Sequence, residues 1–121
     1  MTELASTMTP REIASQVAEA IRALNHLTYG GGELGSPDEV RDIIASLGLM
    51  GQGLPQLCEQ LARFLVSQHE DGQVRHGSGQ DPDLFVTEVT EALAAAGQAA
   101  DMMTAALEEA HTATTDLKRA P

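Results

Sequence analysis

Tryptophan is absent from the sequence, and only Tyr29, Phe64 and Phe85 are aromatic. β-Sheet cores favour β-branched and aromatic side chains. That shortage, set against eighteen alanines, favours helices, whose best formers include Ala, Leu, Glu and Gln. Positive charge is scarce too: one lysine and six arginines face 18 acidic residues, for a net charge of −11. A chain this acidic repels phosphate backbones and anionic headgroups, so nucleic-acid and membrane-surface binding are not expected. The single cysteine, Cys58, cannot form an internal disulfide, which fits a reducing compartment. No apolar run approaches the ~20 residues of a membrane span. No basic segment followed by an apolar one marks a secretory signal, so a cytoplasmic location is expected. Arginine outnumbering lysine, with abundant Ala and Gly, points to a GC-rich bacterial source.

Proline is present five times, and four of the five are informative. It suits the first turn of a helix, where its missing N–H is not needed and its φ is already helical. Thr9-Pro10-Arg11-Glu12 and Ser36-Pro37-Asp38-Glu39 have the form of capping boxes, a hydroxyl at the cap and Glu three residues on. Asp81-Pro82-Asp83 offers an acidic cap and an acidic first turn. Gly53-Leu54-Pro55 lacks a good cap but follows Gly51-Gln52-Gly53, a glycine-punctuated break. The expectation is an all-α single domain, four-helix bundle-like, with helices over about residues 10–29, 37–50, 54–69 and 82–117. Residues 1–8 are expected to be a disordered tail and the polar, glycine-rich 70–81 a flexible connector.

Apolar spacing supports these segments independently. Ile13, Val17, Ala20, Leu24 and Leu27 recur at intervals of four and three before Gly30-Gly31-Gly32 stops the pattern. Val40, Ile43, Leu47 and Met50 continue the rhythm, as do Leu54, Leu57, Cys58, Leu61, Phe64 and Leu65. In the last segment Val86, Val89, Leu93, Ala96, Ala100, Met103, Leu107, Ala110, Thr114 and Leu117 keep register straight across Gly97. One continuous helix of roughly 54 Å is expected there, against roughly 29 Å for the first. A helix that outruns its neighbours leaves part of its stripe for another chain. A homodimer is therefore expected, with Val89, Leu93, Ala96, Ala100, Met103, Leu107 and Ala110 as its interface.

Motifs with catalytic or binding meaning lack their context. Gly30-x-Gly32-x-x-Gly35 matches the dinucleotide fingerprint, but that mechanism needs a preceding strand and a βαβ unit. Glu108-x-x-His111 matches one element of di-iron bundles, which require a second copy and two further inward Glu residues. His69, Asp71 and His76 cluster in the connector without the tight spacing of a metal site. Cys58 lies in an apolar stripe beside Glu59, a poor setting for a thiolate. The segments flanking Gly51 have helix-turn-helix spacing, but Gln56, Gln60 and Arg63 beside Glu59 make a weak recognition surface. Tyr29-x-x-x-Glu33 has the spacing of a tyrosine-based export signal whose bearers also need a Trp-x-Gly turn, which this chain lacks.

No catalytic residue, cofactor or metal is expected. The leading expectation is a non-enzymatic helical protein–protein interaction module, self-associating through its C-terminal helix. The alternatives are a small-molecule or metal site between helices, and an acidic regulator that binds a basic protein partner.

Overall fold

A computed structural model describes residues 7–121, and among them every regular element is helical. Helix α1 spans Pro10–Thr28 and is followed by a 3₁₀ turn, Tyr29–Gly31. Helix α2 spans Pro37–Glu70 and helix α3 spans Asp83–Thr114. Among the described residues these three helices stand where four were expected. The chain divides into two compact units, residues 1–36 and 37–121. Most of the expected tail over 1–8 lies outside the described residues.

In the first unit, α1 starts as its capping box dictates. Thr9 Oγ1 accepts from the Glu12 amide at 3.1 Å, and Glu12 Oε1 accepts from the Thr9 amide at 3.1 Å. Two of the amides that a helix start leaves unsatisfied are thereby bonded. The Thr9 backbone N–H, and secondarily its side chain, hold the Glu12 carboxyl below the usual glutamate range. A folded pKa below the unfolded one stabilises the cap above the unfolded pKa, and this is lost as pH falls through the folded value. Acid titration followed by the Thr9 and Glu12 amide NMR signals is therefore expected to show the cap opening only below the ordinary glutamate range. Glu12→Gln keeps an acceptor but should abolish that transition; an unchanged titration would show that the carboxylate is not responsible. At the other end, Gly30 and Gly31 take φ of 63° and 81°, and the Glu33 amide bonds back to Leu27 O at 2.9 Å. The glycines of the dinucleotide-like motif are a helix stop.

The second unit is a helical hairpin. Gly51-Gln52-Gly53 does not break α2, which runs through Pro55 for 34 residues. The expected helices over 37–50 and 54–69 are one. The reason is packing: an isolated glycine costs a helix only about 1 kcal/mol, and here Gly51 sits where α3 comes closest. A methyl group on Gly51 would overlap Thr104 Oγ1 and lie 3.1 Å from Met103 Cε. One at Gly97 would meet Pro55 Cα at 3.5 Å. Gly48, Gly51, Gly97, Ala100 and Thr104 are all buried along this waist, and Thr104 Oγ1 donates to Ala100 O at 2.9 Å. Pairing Gly51 with Thr104, Pro55 with Gly97 and the Arg41 side chain with Thr115 O fixes an antiparallel register.

Helix α2 ends at Gly72, whose φ of 74° suits a left-handed C-cap; the Gln73 amide returns to Gln68 O at 2.9 Å. Contacts join the residues of and around the 70–81 segment. His69 pairs with Asp83, and the His76 ring stacks on Phe85 with centroids 3.8 Å apart. His76 Nδ1 also accepts from the Ser78 amide at 3.1 Å. Asp81 Oδ1 accepts from the Asp83 amide at 3.0 Å just ahead of the helix, whose cap position is Pro82 rather than the expected Asp81. Helix α3 then passes through Gly97 unbroken, as its spacing requires, and ends at Thr114 rather than Leu117.

Candidate interaction surface

The hairpin distributes side-chain size unevenly between two adjacent stripes of α2. The stripe facing α3 is Ile44, Gly48, Gly51, Pro55, Cys58, Ala62 and Leu65, alternating steps of four and three. Most of these are small, and small side chains let two helix axes approach closely. One position earlier along the helix runs a second stripe: Ile43, Leu47, Met50, Leu54, Leu57, Leu61 and Phe64. It carries the large apolar residues and no charge. Its first four members are half-buried, whereas Leu57, Leu61 and Phe64 are 49%, 52% and 67% exposed.

Helix α3 has the same division. Val86, Gly97, Ala100 and Thr104 are buried, and Leu93 and Leu107 half-buried, on the stripe toward α2. Beside it run Val89, Ala92, Ala96, Ala99, Met103 and Ala106, all exposed, followed by half-buried Ala110. The seven residues expected at the interface therefore fall on both stripes. Ala100 is covered within the chain, while Val89, Ala96 and Met103 remain on the surface. In an antiparallel pair, stripes offset in the same sense from the contact line emerge on the same side. The large residues of α2 and the small ones of α3 thus form one apolar face. Among the described residues, Val86 and Ala100 are the only apolar side chains that count as buried, apart from the glycines. The length mismatch invoked for dimerisation does not exist, since α2 at 34 residues matches α3 at 32. What leaves apolar surface open is residue size and facing.

Two shallow grooves, each of about 300 Å³, lie along α2 and α3 on either side of the Gly51–Thr104 waist. Pro55, Cys58, Leu93 and Asp101 line one. Gln52, Leu107, Glu108 and His111 line the other, so the Glu-x-x-His element borders an apolar trough facing Ile44 and Gly48. Among the described residues, no group of three or more His, Cys, Asp and Glu is placed to hold a metal ion. The connector separates its candidates: His69 turns to Asp83 and His76 to Phe85 and Ser78. The ion pairs Arg22–Glu19, Arg41–Asp38 and Arg63–Glu59 are all within single helices, one turn apart. No described helix is long and apolar enough to cross a membrane.

Compared with protein-family models, curated proteins and solved structures, the chain matches none.

Proposed function

We propose that this chain is a non-enzymatic helical interaction module that self-associates through the apolar side face of the α2–α3 hairpin. One observation carries the reading: α2 turns mostly small residues toward α3 and leaves the large Leu57, Leu61 and Phe64 of the neighbouring stripe exposed. A helix that served only its own hairpin would do the reverse, because burying a Leu or Phe side chain is worth about 1.5–3 kcal/mol. Exposed apolar residues that are contiguous and uncharged mark a contact surface.

Light scattering across a concentration series tests this. The wild type is expected at twice the chain mass, and Leu61→Asp at the chain mass with its helical circular dichroism kept. A charge buried within a two-fold contact, and present twice in it, should weaken association at least ~100-fold, about 2.8 kcal/mol. Leu49→Asp, at a more exposed position outside the uncharged stripe, should leave the dimer intact. A strictly monomeric wild type at millimolar concentration would end the proposal. Salt adds a second arm: two copies of charge −11 repel, so added salt should strengthen self-association. Docking of an acidic regulator on a basic partner would weaken with salt instead.

A further inference from the structure

The self-association proposed above leaves open how two copies meet, and residue size on the shared face selects one arrangement. We infer that a second copy of this chain packs face to face about a two-fold axis parallel to the helices. Each α2 then lies on its partner's α3, and the assembly is an intermolecular four-helix bundle. The inference rests on that self-association and adds its geometry.

Three observations carry it. The first is complementarity of size. The large stripe of α2 is a ridge, whereas the exposed stripe of α3 at the same height is Val89, Ala92, Ala96 and Ala99, a trough. An axis parallel to the helices sets ridge into trough twice, once from each copy. An axis perpendicular to them sets α2 on α2 and α3 on α3, ridge against ridge, and holds the alanines apart. Interdigitation of that first kind is what helix packing requires.

The second is charge. The α2 stripe from Ile43 to Phe64 carries no charged residue, and on α3 Glu88, in phase with Ala106, is the one carboxylate on the stripe and lies at its end. Two chains of charge −11 can thus approach there with their carboxylates turned aside. The third is area. From Ile43 to Phe64 the face is about 32 Å long and, across two helices spaced 8–10 Å, roughly 20 Å wide. A two-fold pair would bury roughly 1,300 Å², within the range of stable specific interfaces.

The hairpin register makes the arrangement specific. Pairing Gly51 with Thr104 and Pro55 with Gly97 puts Leu61 at the height of Ala92. The inferred axis keeps that height in the partner and brings Leu61 of one copy opposite Ala92 of the other. Cross-linking of full-length chains tests this. Leu61→Cys and Ala92→Cys, each made in a Cys58→Ala background, are mixed, allowed to exchange and oxidised. A disulfide joining one Leu61→Cys chain to one Ala92→Cys chain is expected, with each variant alone remaining uncross-linked. Leu61→Cys cross-linking to itself in preference would overturn the arrangement. Absence of any cross-link while light scattering still reports a dimer would overturn it too, and would leave self-association standing. A monomer by light scattering would remove both. Circular dichroism on each variant, with Gln56→Cys as a cross-linking control off the face, separates misfolding from misplacement.

Discussion

Gly51→Leu is expected to unfold the hairpin or lower its stability by about 3 kcal/mol, while Gly53→Leu on the same helix should not destabilise it. Leucine exceeds glycine in helix propensity by about 0.8 kcal/mol, so both exchanges gain the same local term. Their surroundings differ. A Cβ at Gly53 meets nothing within 4 Å, whereas one at Gly51 overlaps Thr104 Oγ1 and presses on Met103 Cε. Thr104 cannot simply rotate away, because its hydroxyl is bonded to Ala100 O inside the waist. A leucine there must force α3 outward along its length, and overpacking of this kind costs about 1–3 kcal/mol or more. Small domains lose several degrees of melting temperature per kcal/mol, so thermal denaturation separates the two variants. A double-mutant cycle sharpens the assignment: Thr104→Ala should be mildly destabilising alone and should restore part of what Gly51→Ala loses. Equal melting temperatures for Gly51→Leu and Gly53→Leu would show that α2 and α3 are not in close contact at this point.

The same waist explains which parts of the fold could be derived from the sequence. The start of α1 was legible because its signal is local: Thr9, Pro10 and Glu12 satisfy one another's backbone within a single turn. The continuity of α3 was legible because eight apolar positions from Val86 to Ala110 keep one register across Gly97. The continuity of α2 was not. Gly51, Gly53 and Pro55 all carry helix-breaking propensity, and what overrides it comes from α3 some fifty positions along the chain. Gly51 is there for the absence of a side chain, not for conformational freedom. A signal was nonetheless available: the positions at steps of four and three through Gly48, Gly51, Pro55, Cys58 and Ala62 stay in phase across the supposed break. Two separate helices would have no reason to share a phase.

The candidate surface was legible in part for a related reason. Spacing identified apolar stripes on α3 but could not divide them into the edge that α2 covers and the edge that remains open. Val89, Ala96 and Met103 fall on the open side and Ala100 on the closed side. On α2, Leu57, Leu61 and Phe64 looked like core because apolar residues at helical spacing usually are. Only the placement of the smaller neighbours Pro55, Cys58 and Ala62 against α3 turns those three outward. Metal and nucleotide motifs needed the least structure to set aside, since each lacked a partner already visible as missing.

Pro55→Ala is expected to raise stability by about 0.4–1 kcal/mol, and this single exchange decides between one helix and two. Within a helix, proline cannot donate to the carbonyl four residues back, here that of Gly51, and its ring crowds it. Relative to alanine the intrinsic deficit is about 3 kcal/mol. Two effects offset the gain on replacement. Alanine keeps Pro55 Cα and Cβ, the atoms that meet Gly97, but loses Cγ and Cδ of a half-buried ring, at up to about 0.8 kcal/mol each. Alanine also frees the unfolded chain, which costs about 0.4–1 kcal/mol more. The balance remains favourable. If Pro55 instead opened a separate helix after a break, its missing N–H would be harmless, its fixed φ helpful, and its loss destabilising. The sign of the change in melting temperature therefore reports the architecture directly. A rise accompanied by slower hydrogen exchange around residues 51–55 belongs to a continuous α2. A fall would restore the two-helix reading and, with the hairpin's phase broken at Gly51, remove the continuous ridge from Ile43 to Phe64 on which face-to-face association depends.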